Sequence, residues 1–267
     1  VAYRFLQVLY EAMGRTLDER DLLDLVALGT VVDVAPLTDE NRTIVTRGLE
    51  IMQGGLRPGL EALATVSGTH AERFAAETLG FAIGPRMNAA GRLKHANIAL
   101  QLMLAPDLAT ARPLAEELDL LNRRRQQETE EAYTIAEELC GADDDPLVMV
   151  GCGEIHAGIV GLVAARLADR RNRPAIVYEV GPETSRASAR SIPGFDITAA
   201  IRKEQDLLLR HGGHRAAAGF SFDNRHTDEI RRRLVATAAE QLHGEALRKV
   251  VSIDAEANLG DLTGLEI

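Results

Sequence analysis

The stretch RHGGHRAAAGF, residues 210–220, sets Arg210, His211, His214 and Arg215 around the pair Gly212–Gly213 and then runs into small residues. Four potential cations beside backbone that a ligand can approach closely describe an anion pocket, and a polar turn before a buried strand is the alternative. Zinc would need carboxylate or cysteine partners and a third ligand at a workable spacing, which the stretch lacks, so phosphate or a carboxylate is the better guest. RASARSIPGFD, 186–196, puts Ser188 and Arg190 on one face of a strand by alternation, with Ser191 next in line. A guanidinium and a hydroxyl so arranged can grip phosphate oxygens bidentately; a solvated strand face has the same pattern. VGCGEIHAGIVG, 150–161, carries glycines between a strand and a helix, but Gly151 and Gly153 are followed by His156, so the dinucleotide-binding glycine spacing is not met. Free N–H groups at such a helix start still attract anions, and His156 sits there as a cap or as a ligand. GPRMNAAGRL, 84–93, offers Arg86, Asn88 and Arg92 as a second basic hook. In LGTVVDVAPL, 28–37, Asp33 ends a nearly all-apolar segment, where a charge must be capped, paired or metal-bound.

The elements that must hold these residues fall into two styles. Helical spacing of Val1, Phe5, Val8, Leu9 and Met13 predicts a first helix, closed by Gly14. A second starts at a Thr16 or Asp18 cap, is apolar nearly all round through Leu22–Leu28, hence buried, and stops near Asp33. A third runs from near Asp39 to Gly54–Gly55, and RPGLEALATVSG, 57–68, makes a short fourth. Residues 107–140 predict a rod of roughly 50 Å at 1.5 Å per residue. It is apolar at Leu114, Leu118 and Leu121 and again at Ala132, Ile135, Ala136 and Leu139, and NRRRQQETEE between them is polar on every face. Such a helix bridges two bodies, and Pro113 places its start near Ala111. Beyond it, LVMVGC, PAIVYEV, ASARSI and AAAGFSF read as strands. They alternate with helices at HAGIVGLVAARLADRR, at DITAAIRKEQDLLLRHGG, which the two glycines end, and at HTDEIRRRLVATAAEQL. That alternation predicts an α/β fold with a partly parallel sheet. The final VVSIDAEANLGDLTGLEI begins another strand.

Composition narrows the classes. Apolar residues make up 46% and charged residues 26%, ordinary for a globular protein, and no apolar run approaches a membrane span. A formal net charge of −10 argues against coating nucleic acid non-specifically but leaves room for a local basic groove. With 4% aromatics and no Trp, single-strand binding through a row of stacked rings is not expected, so contacts would run through phosphates. Cys140 and Cys152 form no disulfide framework and fit buried thiols in a reducing cytoplasm. The first residue is Val, which suggests a chain that starts inside a longer protein.

Taken in order, DLVALGTVVDVAPLTDENR, GPRMNAAGRL, the bridging helix with LNRRRQ, IHAGIVGLVAARL, SARSIPGFDI and HGGHRAAAGF resemble the DHH/DHHA1 phosphoesterases, and among them the single-strand-specific DNA exonucleases. The resemblance implies a mostly helical remnant of a DHH domain at 1–106, a connecting helix at 107–141 and an α/β DHHA1 nucleic-acid-binding domain with a mixed sheet at 142–245. The start of an oligonucleotide-binding barrel would follow at 246–267. It further implies 5′→3′ hydrolysis of single-stranded DNA in repair and recombination, with Mn²⁺ or Mg²⁺ activating a water. By the same resemblance Asp33 is a metal ligand. His156, Ser188, Arg190, Ser191, Gly212, Gly213 and His214 bind phosphate, and Arg86, Asn88 and Arg92 flank the cleft. Arg215 stands where the family has a small residue, so no role passes to it. The seven histidines include no adjacent pair, and the family's Asp-His-His tripeptide is therefore missing. The expectation is a monomeric fragment, inactive alone, whose partners are single-stranded DNA and a single-strand-binding protein, with no membrane. The alternatives are a hydrolase of short oligonucleotides or cyclic dinucleotides and a non-catalytic backbone clamp.

Overall fold

In a computed structural model, which describes residues 1–70, 72, 74–141, 145–153, 155–242, 249–251, 253 and 256, the chain divides into two compact units. The first comprises Val1–Glu131 with His156–Ile159, and the second Ala132–Ile155 with Val160–Ile267. Among the described residues no helix is long and apolar enough to cross a membrane.

The first unit is helical: α1 (Ala2–Ala12), α2 (Leu23–Val32), α3 (Asp39–Gly54), α4 (Pro58–Ser67), α5 (Gly84–Leu93), α6 (Asn97–Met103) and the first part of α7 (Leu108–Cys140). Asp18 accepts from Arg20 N in the short turn before α2, and the apolar α2 packs into a core with Val45, Met52, Leu60, Leu63, Leu79, Leu102 and Leu118. Burying these side chains contributes about 1.5–3 kcal/mol each. Two ion pairs fasten the helices. The Arg57 guanidinium donates to both oxygens of the buried Asp24, at 2.5 and 2.7 Å, and Arg86 Nε donates to Asp119 Oδ1 at 2.9 Å, which ties α5 to α7.

Three helical expectations are corrected. On α1 the stripe Phe5, Val8 and Leu9 is exposed and Tyr3 is the buried residue, its hydroxyl donating to Glu19. α7 begins at Leu108, not near Ala111, because Asp107 Oδ1 takes the Thr110 N–H and caps it; Pro113 lies inside the helix, where burial of Ala111, Ala115 and Leu118 outweighs one missing N–H. The middle of α7 is not solvated all round, since Leu121 and Asn122 are buried and Arg125 half-buried. Toward its C-terminal end Ala132 and Ala136 are buried, as helical spacing of four requires, whereas Ile135 and Leu139 point to solvent.

The second unit carries a five-stranded mixed sheet: β1 (Val148–Cys152), β2 (Ala175–Glu179), β3 (Thr184–Arg190), β4 (Leu208–His214) and β5 (Ala217–Asp223), in spatial order β1-β2-β3-β5-β4. β1 and β2 run parallel and are joined through α8 (Val160–Arg171); the other pairs are antiparallel. One sheet face packs Ala187, Ala189, Ala218, Phe220 and Phe222 against α9 (Ile197–Lys203) and α10 (Thr227–Gln241), while α8 lies over β2 and β3. Cys152 is buried in β1, and burial pushes its thiol up from the ordinary value. The expected helix over 196–213 is overturned. Asp196 caps α9 through the Ala199 N–H, α9 ends at Lys203, and the buried Glu204 is held by Arg233 at 3.2 Å. Leu208–His214 then pairs with β5 as the edge strand, so Gly212 and Gly213 lie within a strand instead of ending a helix. The strand expected from residue 250 falls largely on residues outside those described.

Candidate nucleic-acid interface

Register decides which side chains of the second unit share a face. Arg190 pairs with Ala217, and Ala217 with His214; Ser188 pairs with Gly219, and Gly219 with Gly212. Directly paired residues point to the same side of a sheet. Arg190 and His214 therefore stand in one cross-strand row, two strands or about 10 Å apart, and Ser188 with Gly212 in the next row. Between them are only Ala217 and Gly219, which leave the surface low. Burial on β3 alternates strictly, with Ser185, Ala187 and Ala189 toward the α9–α10 core and Ser188 and Arg190, half-buried, on the α8 side.

The first turn of α8 covers the Ser188–Arg190 pair. A Cβ on Gly161 would lie 2.8 Å from Arg190 Nη2 and 3.0 Å from Ser188 Oγ, so only a glycine admits both groups in their present positions. Arg190 Nη1 donates to Ser188 Oγ at 3.2 Å and to the Ala189 carbonyl at 2.9 Å, which fixes the guanidinium beside the helix start. The first N–H groups of a helix have no partner within it and carry partial positive charge. Guanidinium, hydroxyl and helix start together are what an anionic oxygen cluster needs.

The β4–β5 turn falls at Arg215–Ala216, so Gly212, Gly213 and His214, which the sequence suggests as the turn itself, lie at the end of β4. Thr198 Oγ1 donates to the His214 carbonyl at 2.6 Å, and the Ile197 N–H donates to the Arg215 carbonyl at 3.2 Å, so the start of α9 holds the turn. Gly213 has φ of 153°, and a Cβ there would meet the Ala217 carbonyl oxygen at 2.4 Å. The side chains of Arg210, His211, His214 and Arg215 are exposed. Ser191 is engaged by its own loop: its N–H donates to the Ala216 carbonyl and its hydroxyl to the Phe195 carbonyl, each at 2.9 Å.

In the first unit, α5 presents an exposed Asn88 and the half-buried Arg86 and Arg92. Arg86 is engaged by Asp119 and by the Ala82 carbonyl, at 2.7 Å. Arg92 Nη1 donates to the Gly158 carbonyl at 3.1 Å, and His156, exposed, accepts the Gly158 N–H through Nδ1 at the same distance. Asp33 caps α2 at its C-terminal end, its N–H donating to the Gly29 carbonyl at 3.0 Å. Its carboxylate is exposed, so the costly buried charge expected from the apolar segment does not arise. A carboxylate at the negative end of a helix dipole does favour a nearby cation. A hard divalent cation takes about six oxygen ligands, however, and no group of three His, Cys, Asp or Glu able to hold a metal forms among the described residues. The residues present do not fit a complete divalent site.

Sequence reasoning did not single out Gly161, Thr198 or Arg125. Gly161 and Arg125 lie in quoted motifs, HAGIVGLVAARL and LNRRRQ, but only packing reveals what they touch.

Residues 144–252 match the model of the DHHA1 domain. The chain is 39% identical over 255 residues to the single-stranded-DNA-specific exonuclease RecJ of Dickeya dadantii, covering 91% of this chain and 44% of that protein. It is 38% identical over 257 residues to RecJ of Bacillus subtilis, covering 94% and 32%. The chain thus spans less than half the length of these curated relatives. Among solved structures it superposes on RecJ of Thermus thermophilus in complex with Mn²⁺, with a TM-score of 0.80 at 36% identity over 88% of this chain and 35% of that one. It also superposes on exonuclease RecJ bound to manganese, with a TM-score of 0.77 at 36% identity over 94% and 62%.

Proposed function

We propose that this chain, which belongs to the RecJ family, is the strand-gripping portion of a single-strand-specific 5′→3′ DNA exonuclease of repair and recombination. The observation that carries this is the double row Arg190–Ala217–His214 and Ser188–Gly219–Gly212, whose Arg190–Ser188 end lies beneath the first turn of α8. It offers cations, a hydroxyl and close-approach backbone on one face and no base-reading element, which suits a sugar-phosphate chain of any sequence. Ser188, Arg190, Gly212, Gly213 and His214 hold phosphates in this reading, and Ser191 shapes the loop beside them; in the first unit, His156, Asn88 and Arg92 are phosphate contacts of their own, with Arg86 fixing α5. Residues 1–106 are the end of a DHH domain, 107–141 the connecting helix and 142–245 the DHHA1 domain; the barrel start expected at 246–267 lies largely outside the described residues.

Asp33 contributes one ligand to the Mn²⁺ or Mg²⁺ of the whole enzyme. With no Asp-His-His tripeptide in the sequence and, among the described residues, no cluster of ligand groups able to hold a metal, the chain alone does not hydrolyse DNA. The setting is cytoplasmic, in keeping with two free cysteines, and the chain is a monomer that works beside a single-strand-binding protein. Fluorescence anisotropy with labelled single strands of several compositions tests the grip. Arg190→Met is expected to weaken binding by about tenfold for every composition, the effect of about 1.4 kcal/mol. Binding equal to that of the parent chain would overturn the reading.

A further inference from the structure

The chain has six phenylalanines and no Trp. Phe74, Phe195, Phe220 and Phe222 are core residues, and Phe5 belongs to the apolar stripe of α1. Phe81, in the first unit, is 84% exposed. A lone exposed apolar side chain is ordinary, so exposure by itself decides nothing. The backbone that carries Phe81 is not ordinary. Residues Thr78–Ile83 form a π-helical segment that runs directly into α5. Such segments are rare and occur frequently at functional sites. Leu79 and Ile83 are fully buried, and Phe81, midway between them, is turned outward. The segment is seated on the last turn of α2. A Cβ on Gly84 would lie 2.5 Å from Val32 Cγ2, and one on Gly80 would lie 3.7 Å from Val31 Cγ1. The ring is thus carried by backbone packed against the end of α2 that Asp33 caps. Spacings of four, seven and eleven residues set Phe81, Pro85, Asn88 and Arg92 on one helix face. The burial agrees, with Phe81 and Asn88 exposed and Pro85 and Arg92 half-buried.

We propose that Phe81 is a stacking platform for one nucleobase of the single strand. The inference rests on the strand-gripping function proposed above, in which Asn88 and Arg92 are phosphate contacts on this same face, and it gives the bases a place beside them. A base suits the ring better than a protein segment does, because the face around it is polar and no other large apolar side chain between Thr78 and Leu93 is exposed. Stacking sets one π-face on another and accepts every base, so the ring adds affinity without reading sequence. The scarcity of aromatics argues against a row of such rings and leaves room for one.

The absence of Trp makes Phe81→Trp a single fluorescent reporter in the 267-residue chain. Its emission is expected to be quenched by oligothymidylate and to stay unchanged with an abasic strand of equal length, which carries the same phosphates without bases. By anisotropy, the parent chain is expected to bind oligothymidylate about tenfold more tightly than the abasic strand, the effect of one stacked base. Phe81→Leu is expected to lose that preference and Phe81→Tyr to keep it, both melting as the parent does because the side chain is exposed. A reporter unmoved by oligothymidylate overturns the platform. So does a Phe81→Leu chain that keeps the parent's preference, even when Arg190→Met still weakens binding to both strands. A preference lost in Phe81→Leu while binding is indifferent to Arg190 sustains the platform and sinks the proposed grip instead.

Discussion

Gly161 makes the sharpest single-residue case. Its missing Cβ leaves space for the ends of two flexible side chains, Arg190 Nη2 and Ser188 Oγ, and not for backbone. Gly161→Ala should therefore displace the guanidinium at little cost to the fold. We expect strand binding weaker by about tenfold, or about 1.4 kcal/mol, with a melting temperature within about 2 °C of the parent. Anisotropy and thermal unfolding on one sample check it; a large fall in stability with binding preserved would contradict it. The pair itself was legible from the sequence, because strand alternation alone puts Ser188 and Arg190 on one face. Gly161 was not, because a motif shows that small residues are present without showing what approaches them. Asp33 shows the converse: an apolar sequence context suggested a buried charge, and the structure leaves the carboxylate in water.

At the scale of elements, the edge hairpin matters most. LLLRHGGH follows a helix and closes on two glycines, a helix-ending signal, so one-dimensional reading extends α9 to Gly212–Gly213. The chain instead breaks at the buried Glu204, held by Arg233, and β5 takes the next strand into the sheet. Long-range pairing of that kind has no local signature, whereas β1, β2, β3 and β5 were readable as short apolar or small-residue runs between turns. The consequence for function is that His214 is presented by a strand whose turn is held from α9. At Gly213, φ of 153° and a Cβ position 2.4 Å from the Ala217 oxygen make any side chain a source of strain against backbone. Gly213→Ala should cost about 1–3 kcal/mol, read from the urea midpoint, and should weaken strand binding more than Gly212→Ala, whose Cβ meets nothing within 4 Å. Equal effects of the two substitutions would count against a turn held in one geometry.

For the molecule as a whole, the net charge of −10 and the scarcity of rings mean that the proposed binding would be confined to a local phosphate track and would be salt-dependent. The two-style organisation was visible in the sequence as a change from helical spacing to strand–helix alternation, and the division between the units falls inside α7, between Glu131 and Ala132. Incubated with Mn²⁺ and 5′-phosphorylated single strands, the chain should release no nucleotides; metal-dependent release would show that the missing ligands are not needed. The most direct test of the central claim is hydrogen exchange of the backbone amides with and without a single strand. Slowed exchange in the first turn of α8 and across the β4–β5 hairpin is the predicted result. Unchanged exchange at both, with slowing confined to α10 on the opposite side of the sheet, would contradict it.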